Sequence, residues 1–393
     1  MKKKISEYFM GFTIASTPIL SLYRLGPISV SLYLMLFCYL FLVRDKLYCF
    51  KHNKCMPIWH LALVLAFLSL NGLILPYAGY GVLFSILMML IQTFMLLPIM
   101  ASCSRQAALR SYMLIGYICC FVAIYQCYSD IVGLPYYSGR FEFLELDSSV
   151  SGWMEDSFGY RFNSLFSEPS YFAIYLLPLV AYSLISHCYI NATIFSFCLI
   201  LSSSSTGIIG LVLVLIYEIC YKNLYLNKDY KSLLLIIGIA LVGIYFFLQN
   251  AELVGMFLRS SNKITEISSG NSDDRLFGGI DLFYELSFKE SMLGVGLSQM
   301  GNYFFMNGHR NVANYANTIV YTLLNSGIIG LIFLLVFYYR TYKLSQKYGN
   351  FAVFLIFLAV SCIDPILFNQ RFFHFIYFIY FVNCNLLSKQ HSV

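Results

Sequence analysis

The sequence predicts an all-α, polytopic integral membrane protein with about twelve transmembrane helices and two long loops on one side of the membrane. Of its 393 residues, 59% are hydrophobic and 11% are charged, whereas soluble domains carry about 25% charged residues. Apolar runs of membrane-crossing length recur along the whole chain, and basic residues gather in alternate loops between them. We therefore predict one integral membrane domain, 1–393.

The apolar runs divide the chain into spans that can cross a bilayer core when some tilt or kinking is allowed. The "RLGP" stretch at 24–27 separates the first two spans, and the polar hinge "SSSSTG" at 202–207 separates the seventh and eighth. The N-terminal "MKKKISEYFMGF" lacks a clear small-residue cleavage site, which predicts an uncleaved first span. The predicted spans are 8–23, 27–43, 58–76, 81–100, 111–129, 169–187, 189–204, 206–221, 231–249, 314–339, 351–366 and 372–388.

The distribution of charge supports an even number of spans. With the N-terminus in the cytoplasm, most of the 25 basic residues lie in inside loops and most of the 19 acidic residues lie outside. Both termini are then cytoplasmic. The net charge of +6 therefore reflects topology. No basic-aromatic cluster suggests a nucleic-acid partner.

The 12 cysteines lie mostly in or beside predicted spans, and the two long outside loops contain none. We interpret them as small apolar residues that fill the core rather than as disulfide partners. No cysteine or histidine spacing indicates a metal site. Gly294-Val295-Gly296 lacks the third glycine of a dinucleotide fingerprint. We therefore expect neither a metal nor a cofactor.

The two long loops, about 130–168 and about 250–313, indicate function on the outer face, because long loops are usually functional or disordered. Their aromatic content and mixed charge, with Trp153 in the first, are not typical of disorder. The first loop ends in "YRFNSLFSEPSYFA" (160–173). Pro169 suits a first helical turn, and Ser167 is a candidate N-cap. Glu168 either only starts a helix near Arg161 or forms part of a site; the residues alone leave both open.

The second loop predicts an amphipathic helix over 276–292, with apolar positions at 276, 277, 280, 283, 284 and 288. Arg275 and Arg310 are suited to binding phosphate by paired hydrogen bonds. His309 can exchange a proton near neutral pH, or it is an ordinary interfacial histidine. Asp364 and Arg371, at the outer ends of the last two spans, either form a structural ion pair or complete the site.

Three segments together resemble the bacterial O-antigen polymerases of the Wzy type, within the O-antigen ligase and polymerase group. They are "RFNSLFSEPSYFA", "DDRLFGGIDLFYELSFKESMLGVGLSQM" and "GHRNVANYANTIVYTLLNSGIIGLIFLL", and the resemblance covers roughly 155–340. Each motif is weak alone, but their order and their placement on one face are more specific. In one departure, Arg310 stands between His309 and Asn311, where the family often has His followed by Asn.

The resemblance implies a GT-C-like membrane fold in the bacterial inner membrane, with the long loops in the periplasm. It implies polymerisation of undecaprenyl-pyrophosphate-linked oligosaccharide units into O-antigen polysaccharide, and a partner protein that regulates chain length. Glu168 and His309 would be the catalytic candidates, since the attacking sugar hydroxyl needs a base. The substrate and pyrophosphate would contact Arg161, Arg275, Arg310, Asn311 and Tyr160. Tyr171 and Trp153 could stack on sugars, or anchor the membrane interface.

Two other functions fit the sequence less well. An O-antigen ligase would use the same chemistry with lipid A-core as the acceptor, and sequence separates the two poorly. A polysaccharide flippase or transporter would place charges near the membrane midplane, often on broken helices within internal repeats. The predicted spans contain few charges at mid-membrane, and no internal repeat is evident.

Overall fold

The computed structural model describes residues 2–43, 80–146, 162–218, 280–297, 299–307, 317–367 and 370–382, and these are mostly helical. The helices of the first half are α1 (Lys2–Leu20), α2 (Val30–Cys38), α3 (Tyr80–Ser102), α4 (Arg105–Val132), α5 (Pro169–Ile185), α6 (Tyr189–Leu201) and α7 (Ser205–Leu215). The helices of the second half are α8 (Ile280–Tyr284), α9 (Phe288–Leu293), α10 (Met300–Met306), α11 (Thr318–Tyr348), α12 (Phe351–Ser361) and α13 (Gln370–Ile376). Every predicted span within the described residues overlaps a helix, and spans 58–76 and 231–249 lie outside those residues.

Two described helices, α4 and α11, are long and apolar enough to cross a membrane. Along α4, large apolar side chains point outward at intervals of three or four residues. Such a stripe occupies one helix face. It includes Leu114, Ile118, Phe121, Ile124, Tyr128 and Ile131, all of them exposed. The opposite face packs into the bundle, with Tyr112, Cys119 and Ala123 buried. The outward stripe suits contact with lipid better than contact with water.

A small β-sheet departs from the all-α prediction. Gly26 and Pro27 form the turn of a hairpin between β1 (Tyr23–Leu25) and β2 (Ile28–Ser29), and β3 (Glu145–Leu146) pairs with β1. The sheet order is β2-β1-β3, with all pairs antiparallel. Residues 145–146 of the first long loop are thereby attached to the hairpin between the first two helices.

The start of α5 lies beside the start of α7. A side chain at Gly207 would meet Ala173, and one at Gly210 would meet Leu177. Small residues of this kind let helix backbones approach closely. Because the contacts follow the same order along both helices, α5 and α7 run parallel. Their first turns therefore lie at the same end of the bundle.

The serine hinge after α6 brings the chain back to that end. Ser202, Ser203 and Ser204 are all buried, and Ser203 has a positive φ of 48°. The Ser204 hydroxyl accepts a hydrogen bond from the Gly207 N–H and so caps α7. The predicted hinge at 202–207 is therefore a tight turn inside the bundle.

Candidate functional site

Glu168 is the N-cap residue of α5, and its side chain does not perform the capping. Its backbone is extended (φ −141°, ψ 149°), and Pro169 occupies the first turn. The Glu168 carbonyl accepts hydrogen bonds from the N–H groups of Tyr171 and Phe172. The predicted N-cap, Ser167, is one residue too early. The carboxylate of Glu168 therefore remains available at the positive end of the helix dipole.

The Glu168 carboxylate is half-buried and has a defined orientation. The Ser170 hydroxyl donates a hydrogen bond to Glu168 Oε2 over 2.9 Å. Of the two interpretations that the sequence left open, the backbone of Glu168 agrees with a helix start, and its part in a site stays a prediction. An oriented, partly buried carboxylate can accept a proton from a hydroxyl that approaches within hydrogen-bond distance.

Residues 162–167, which we call the strap, enter the bundle just before Glu168 and are buried throughout. Two hydrogen bonds close a turn inside the strap: the Phe166 N–H donates to Asn163 O (3.0 Å), and Asn163 Nδ2 donates to Phe166 O (2.7 Å). Ser164 adopts a positive φ of 55°, and its hydroxyl donates to Cys119 O (2.7 Å). The strap is thus a short internal turn between α4 and α5.

The side-chain amide of Gln126, on α4, holds the strap from the bundle side. Its Oε1 accepts from the Ser164 N–H (2.9 Å), and its Nε2 approaches Ser164 O (3.2 Å) and Asn163 Oδ1 (3.2 Å). The same nitrogen donates to Tyr137 O (2.9 Å). Gln126 therefore joins both described ends of the first loop. Gln126 is a polar residue inside the predicted span 111–129, and this signal was missed in the sequence.

Asp364 joins three elements at the same end of the bundle as Glu168. Thr206, in the first turn of α7, donates from its hydroxyl to Asp364 Oδ2 (3.2 Å). Thr318, at the start of α11, donates to Asp364 O (2.7 Å) and accepts from the Ile366 N–H (3.0 Å). The starts of α5, α7 and α11 and the end of α12 therefore converge. The side chain of Arg371 lies outside the described part, so the predicted pair with Asp364 stays a prediction.

The second loop is attached to a break in α11. Gly327 has non-helical angles (φ 64°, ψ −167°). This break frees carbonyl groups in the preceding turn. The N–H groups of Val295 and Gly296 donate to Leu324 O and Asn325 O, each over 2.9 Å. The backbone of the Gly294-Val295-Gly296 turn thus pairs with the carbonyl groups that the break leaves free, as buried backbone groups require.

The predicted amphipathic helix over 276–292 is wrong for its described residues, 280–292. Two short helices, α8 and α9, replace it because Ser287 begins a new helix. The Ser287 hydroxyl accepts from the Glu290 N–H, and the Glu290 carboxylate accepts from the Ser287 N–H. This reciprocal arrangement is a capping box. Tyr284 and Phe288, two of the predicted apolar positions, are 79% and 80% exposed.

Most of the predicted site residues lie outside the described residues: Tyr160, Arg161, Arg275, His309, Arg310 and Asn311. Their roles stay predictions. Phe162 and Asn317 are the first described residues after two of these segments. Phe162 is buried in the strap beside Arg161, and Asn317, which caps α11 through its side chain, stands next to Thr318. Both resume the chain at the end of the bundle that carries Glu168 and Asp364.

His374 is a buried polar residue that our sequence reading did not consider. Its Nε2 donates to Tyr175 O (2.8 Å), and its ring stacks on Tyr175 at 4.4 Å between centroids. Pro178 lies inside α5, and a proline in a helix disturbs the backbone hydrogen bonds of the preceding turn. His374 therefore stabilises α5 near this proline, so we assign it a structural role.

The described residues bring no three His, Cys, Asp or Glu side chains together as metal ligands. No protein-family model matches the chain, and no curated protein matches it.

Proposed function

We propose that this protein is a membrane glycosyltransferase that polymerises polyprenyl-pyrophosphate-linked oligosaccharide units at the outer face of the bacterial inner membrane. The proposal joins the resemblance of the three sequence segments to one structural observation. That observation is the oriented, half-buried carboxylate of Glu168, which its own helix does not use for capping.

The convergence of helix ends supports a site around Glu168. Two of the three segments that carry the resemblance are attached to this end of the bundle, through the strap and through Thr318. The remaining segment binds α11 through the Gly294-Val295-Gly296 turn, about two helical turns beyond Thr318. Residues far apart in the chain can therefore act on one substrate. Twelve spans, cytoplasmic termini and a periplasmic location for this end belong to the same proposal.

The outward apolar stripe of α4 supports a lipid-linked substrate. A site at the end of a lipid-facing bundle meets the headgroup region of the membrane. A pyrophosphate attached to a polyprenyl chain would lie at that depth, while its sugars extend into water. The polyprenyl chain itself would remain in the lipid phase beside the bundle.

In the proposed reaction, a hydroxyl oxygen of the acceptor unit attacks the anomeric carbon of the reducing-end sugar on the donor chain. The bond from that carbon to the pyrophosphate oxygen breaks, and the bonding electrons leave with the polyprenyl pyrophosphate. The hydroxyl proton passes to the Glu168 carboxylate or to His309. Arg161, Arg275 and Arg310 would stabilise the charge on the leaving group, because arginine binds phosphate through paired hydrogen bonds.

The break in α11 does not favour the transporter alternative. Transporters use the exposed backbone of broken helices to bind ions or substrate. Here the Leu324 and Asn325 carbonyls already accept hydrogen bonds from Val295 and Gly296. The second loop therefore occupies the position that a transported ion would need.

Complementation of a polymerase-null strain tests the proposal, with the lipopolysaccharide ladder as the readout. We expect wild type to restore a ladder, and Glu168→Gln to lower polymerisation by roughly 100-fold, the scale of a lost general base. Arg161→Ala, Arg275→Ala and His309→Ala should also leave single repeat units. Glu145→Gln, which changes an exposed carboxylate on β3, is the matched control and should behave like wild type. Membrane levels of each variant are measured in parallel.

The outcomes separate the alternatives. If wild type restores only attachment of preformed chains in a ligase-null strain, the protein is a ligase. If a well-expressed Glu168→Gln retains a full ladder, Glu168 is not the base. If all four variants retain it, the proposed site is wrong.

A further inference from the structure

The side-chain amide of Gln126 makes four polar contacts with the first loop, which the packing of α4 alone does not require. Gln126 is fully buried (0% exposed) in the last third of α4. Its amide faces one backbone N–H, two carbonyl oxygens and one side-chain oxygen, all from the two ends of the loop. A side chain that donates and accepts at once is needed at this position, and among uncharged residues of this length only glutamine does so.

A second element, the 139–141 turn, contacts the strap and is itself held by Tyr23. The Tyr23 hydroxyl, on β1, donates to Gly139 O (3.3 Å) and accepts from the Phe141 N–H (3.2 Å). Gly139 in turn lies against the backbone of Ser164, so closely that a side chain there would overlap the Ser164 carbonyl. Ser164 is therefore held between Gln126 on one side and the 139–141 turn on the other.

The position of Ser164 determines the positions of the residues around it. The turn 163–166 is closed by two hydrogen bonds, and Ser167 and Pro169 are buried. Little backbone freedom therefore remains between Ser164 and Glu168. On the other side, only Phe162 and Asn163 separate Ser164 from Arg161.

We propose that Gln126 is a positioning residue for the glycosyl transfer, and that it acts by holding the strap so that Glu168, directly after the strap, meets the substrate in register. This inference rests on the proposed function. Gln126 itself does not touch the substrate. It lies on α4, and its hydrogen bonds go to residues 137, 163 and 164.

The test uses full-length protein in lipid nanodiscs and the variant Gln126→Met, which keeps the length of the side chain and removes its hydrogen bonds. The first readout is peptide-resolved hydrogen–deuterium exchange. Loss of the acceptor for the Ser164 N–H should accelerate exchange in the peptide containing 163–167 by about tenfold or more, while α4 and α5 stay protected. This readout does not depend on any catalytic activity.

The second readout is polymerisation of lipid-linked repeat units extracted from a polymerase-null strain. Because a displacement of about 1 Å can cost roughly 100-fold in rate, we expect kcat to fall 10- to 100-fold and KM to change by less than about threefold. Asn163→Ala, which removes one of the two bonds that close the turn and one Gln126 contact but keeps the Gln126 bonds to the Ser164 backbone, should have a smaller effect in the same direction. It also gives the result if Gln126→Met does not fold.

Thr341→Val is the matched control. Thr341 is also fully buried, and its hydroxyl bonds to Phe337 O and to Tyr380 Oη, away from the strap. It should leave both readouts unchanged.

Accelerated exchange at the strap with a reduced kcat supports the proposal. Unchanged exchange, or accelerated exchange with unchanged kcat, overturns the positioning role and leaves the proposed function intact. Accelerated exchange throughout the chain also overturns it, because Gln126 would then be a general core residue. Wild-type protein without polymerising activity overturns the proposed function, and with it the positioning role.

Discussion

The strap of the first loop is held mainly by hydrogen bonds to a side chain, whereas the Gly294-Val295-Gly296 turn of the second loop is held by hydrogen bonds between two backbones. Gln126 binds the strap through one amide. The second loop inserts Gly294-Val295-Gly296 against the broken turn of α11, with glycine on both sides of the contact. A side-chain attachment can be weakened in steps by substitution, but a contact between two backbones has no room for any added atom.

The backbone attachment should therefore give the largest loss of stability. Gly294 has a φ of +78°, and a side chain there would overlap the backbone of Asn325. We expect Gly294→Ala to cost roughly 3 kcal/mol or more, since its backbone angles (φ 78°, ψ 176°) are accessible essentially only to glycine and alone cost about 1–3 kcal/mol. Gly327→Ala, which would overlap Met292 O, should behave alike. Thermal unfolding of the purified protein measures both.

Gly133 is the matched control for that experiment. It also has a positive φ, +74°, but a side chain there would meet no atom within 4 Å. Gly133→Ala should cost only the backbone term, about 1–2 kcal/mol. Equal losses at Gly133 and Gly294 would show that close approach contributes nothing.

Loss of a side-chain hydrogen bond at the start of α11 should destabilise the protein less than a substitution at Gly294 or Gly327. The Thr318 hydroxyl donates to Asp364 O and accepts from the Ile366 N–H, and Thr318 is 1% exposed. Thr318→Val removes both of these bonds and leaves the Ile366 N–H with its weaker local bond to Asp364 O (2.9 Å), so we expect a cost of roughly 1 kcal/mol. The melting temperature should fall accordingly.

Thr193→Val serves as its control. The Thr193 hydroxyl donates to Tyr189 O within its own helix, where the carbonyl keeps its backbone partner. The change should cost less than about 0.5 kcal/mol. A loss as large as that of Thr318→Val would contradict the role assigned to the contact between elements.

A more local effect is expected at the start of α9. Ser287→Ala removes the capping hydroxyl and should cost about 1 kcal/mol locally. Hydrogen–deuterium exchange in the peptide 287–294 measures it. Ser291→Ala, which loses only a bond to the Ser287 and Leu286 carbonyls, should change exchange less. The strap should not respond to either variant, because the two attachments are separate.

The smallest effect is a pH dependence in the same helix. Partial burial raises the pKa of Glu290, but hydrogen bonds from Ser287 and Tyr303 and the charge of Lys289 outweigh this, so the pKa lies below its ordinary value. The contribution of Glu290 is therefore complete above its unfolded pKa of about 4.3 and is lost as the pH falls through the lower folded value. Protection of 287–294 should decline in that range in wild type but not in Glu290→Gln. A decline of equal size in both proteins would contradict the assignment.

The comparison also explains which parts of the candidate site could be predicted. Pro169 at the first turn of α5 follows from a local rule on proline, and the polar hinge at 202–207 between two spans follows from composition. Both are confirmed. The single helix over 276–292 failed because the apolar spacing was read without the competing capping box of Ser287 and Glu290. The small β-sheet was missed because its strands have only two or three residues each.

The sequence by itself determined a mostly helical chain, its apolar helices and their approximate ends, because hydrophobic length and local turn residues act within a few residues of one another. Only the tertiary structure decided that Gln126 holds the strap, that Gly294 closes the break at Gly327, and that Glu168 and Asp364 share one end of the bundle. Such arrangements depend on contacts between distant residues. The bond from Thr206 to Asp364, for example, joins residues 158 positions apart. Periodicity describes which face of a helix is apolar, but the choice of partner depends on how all helices pack together.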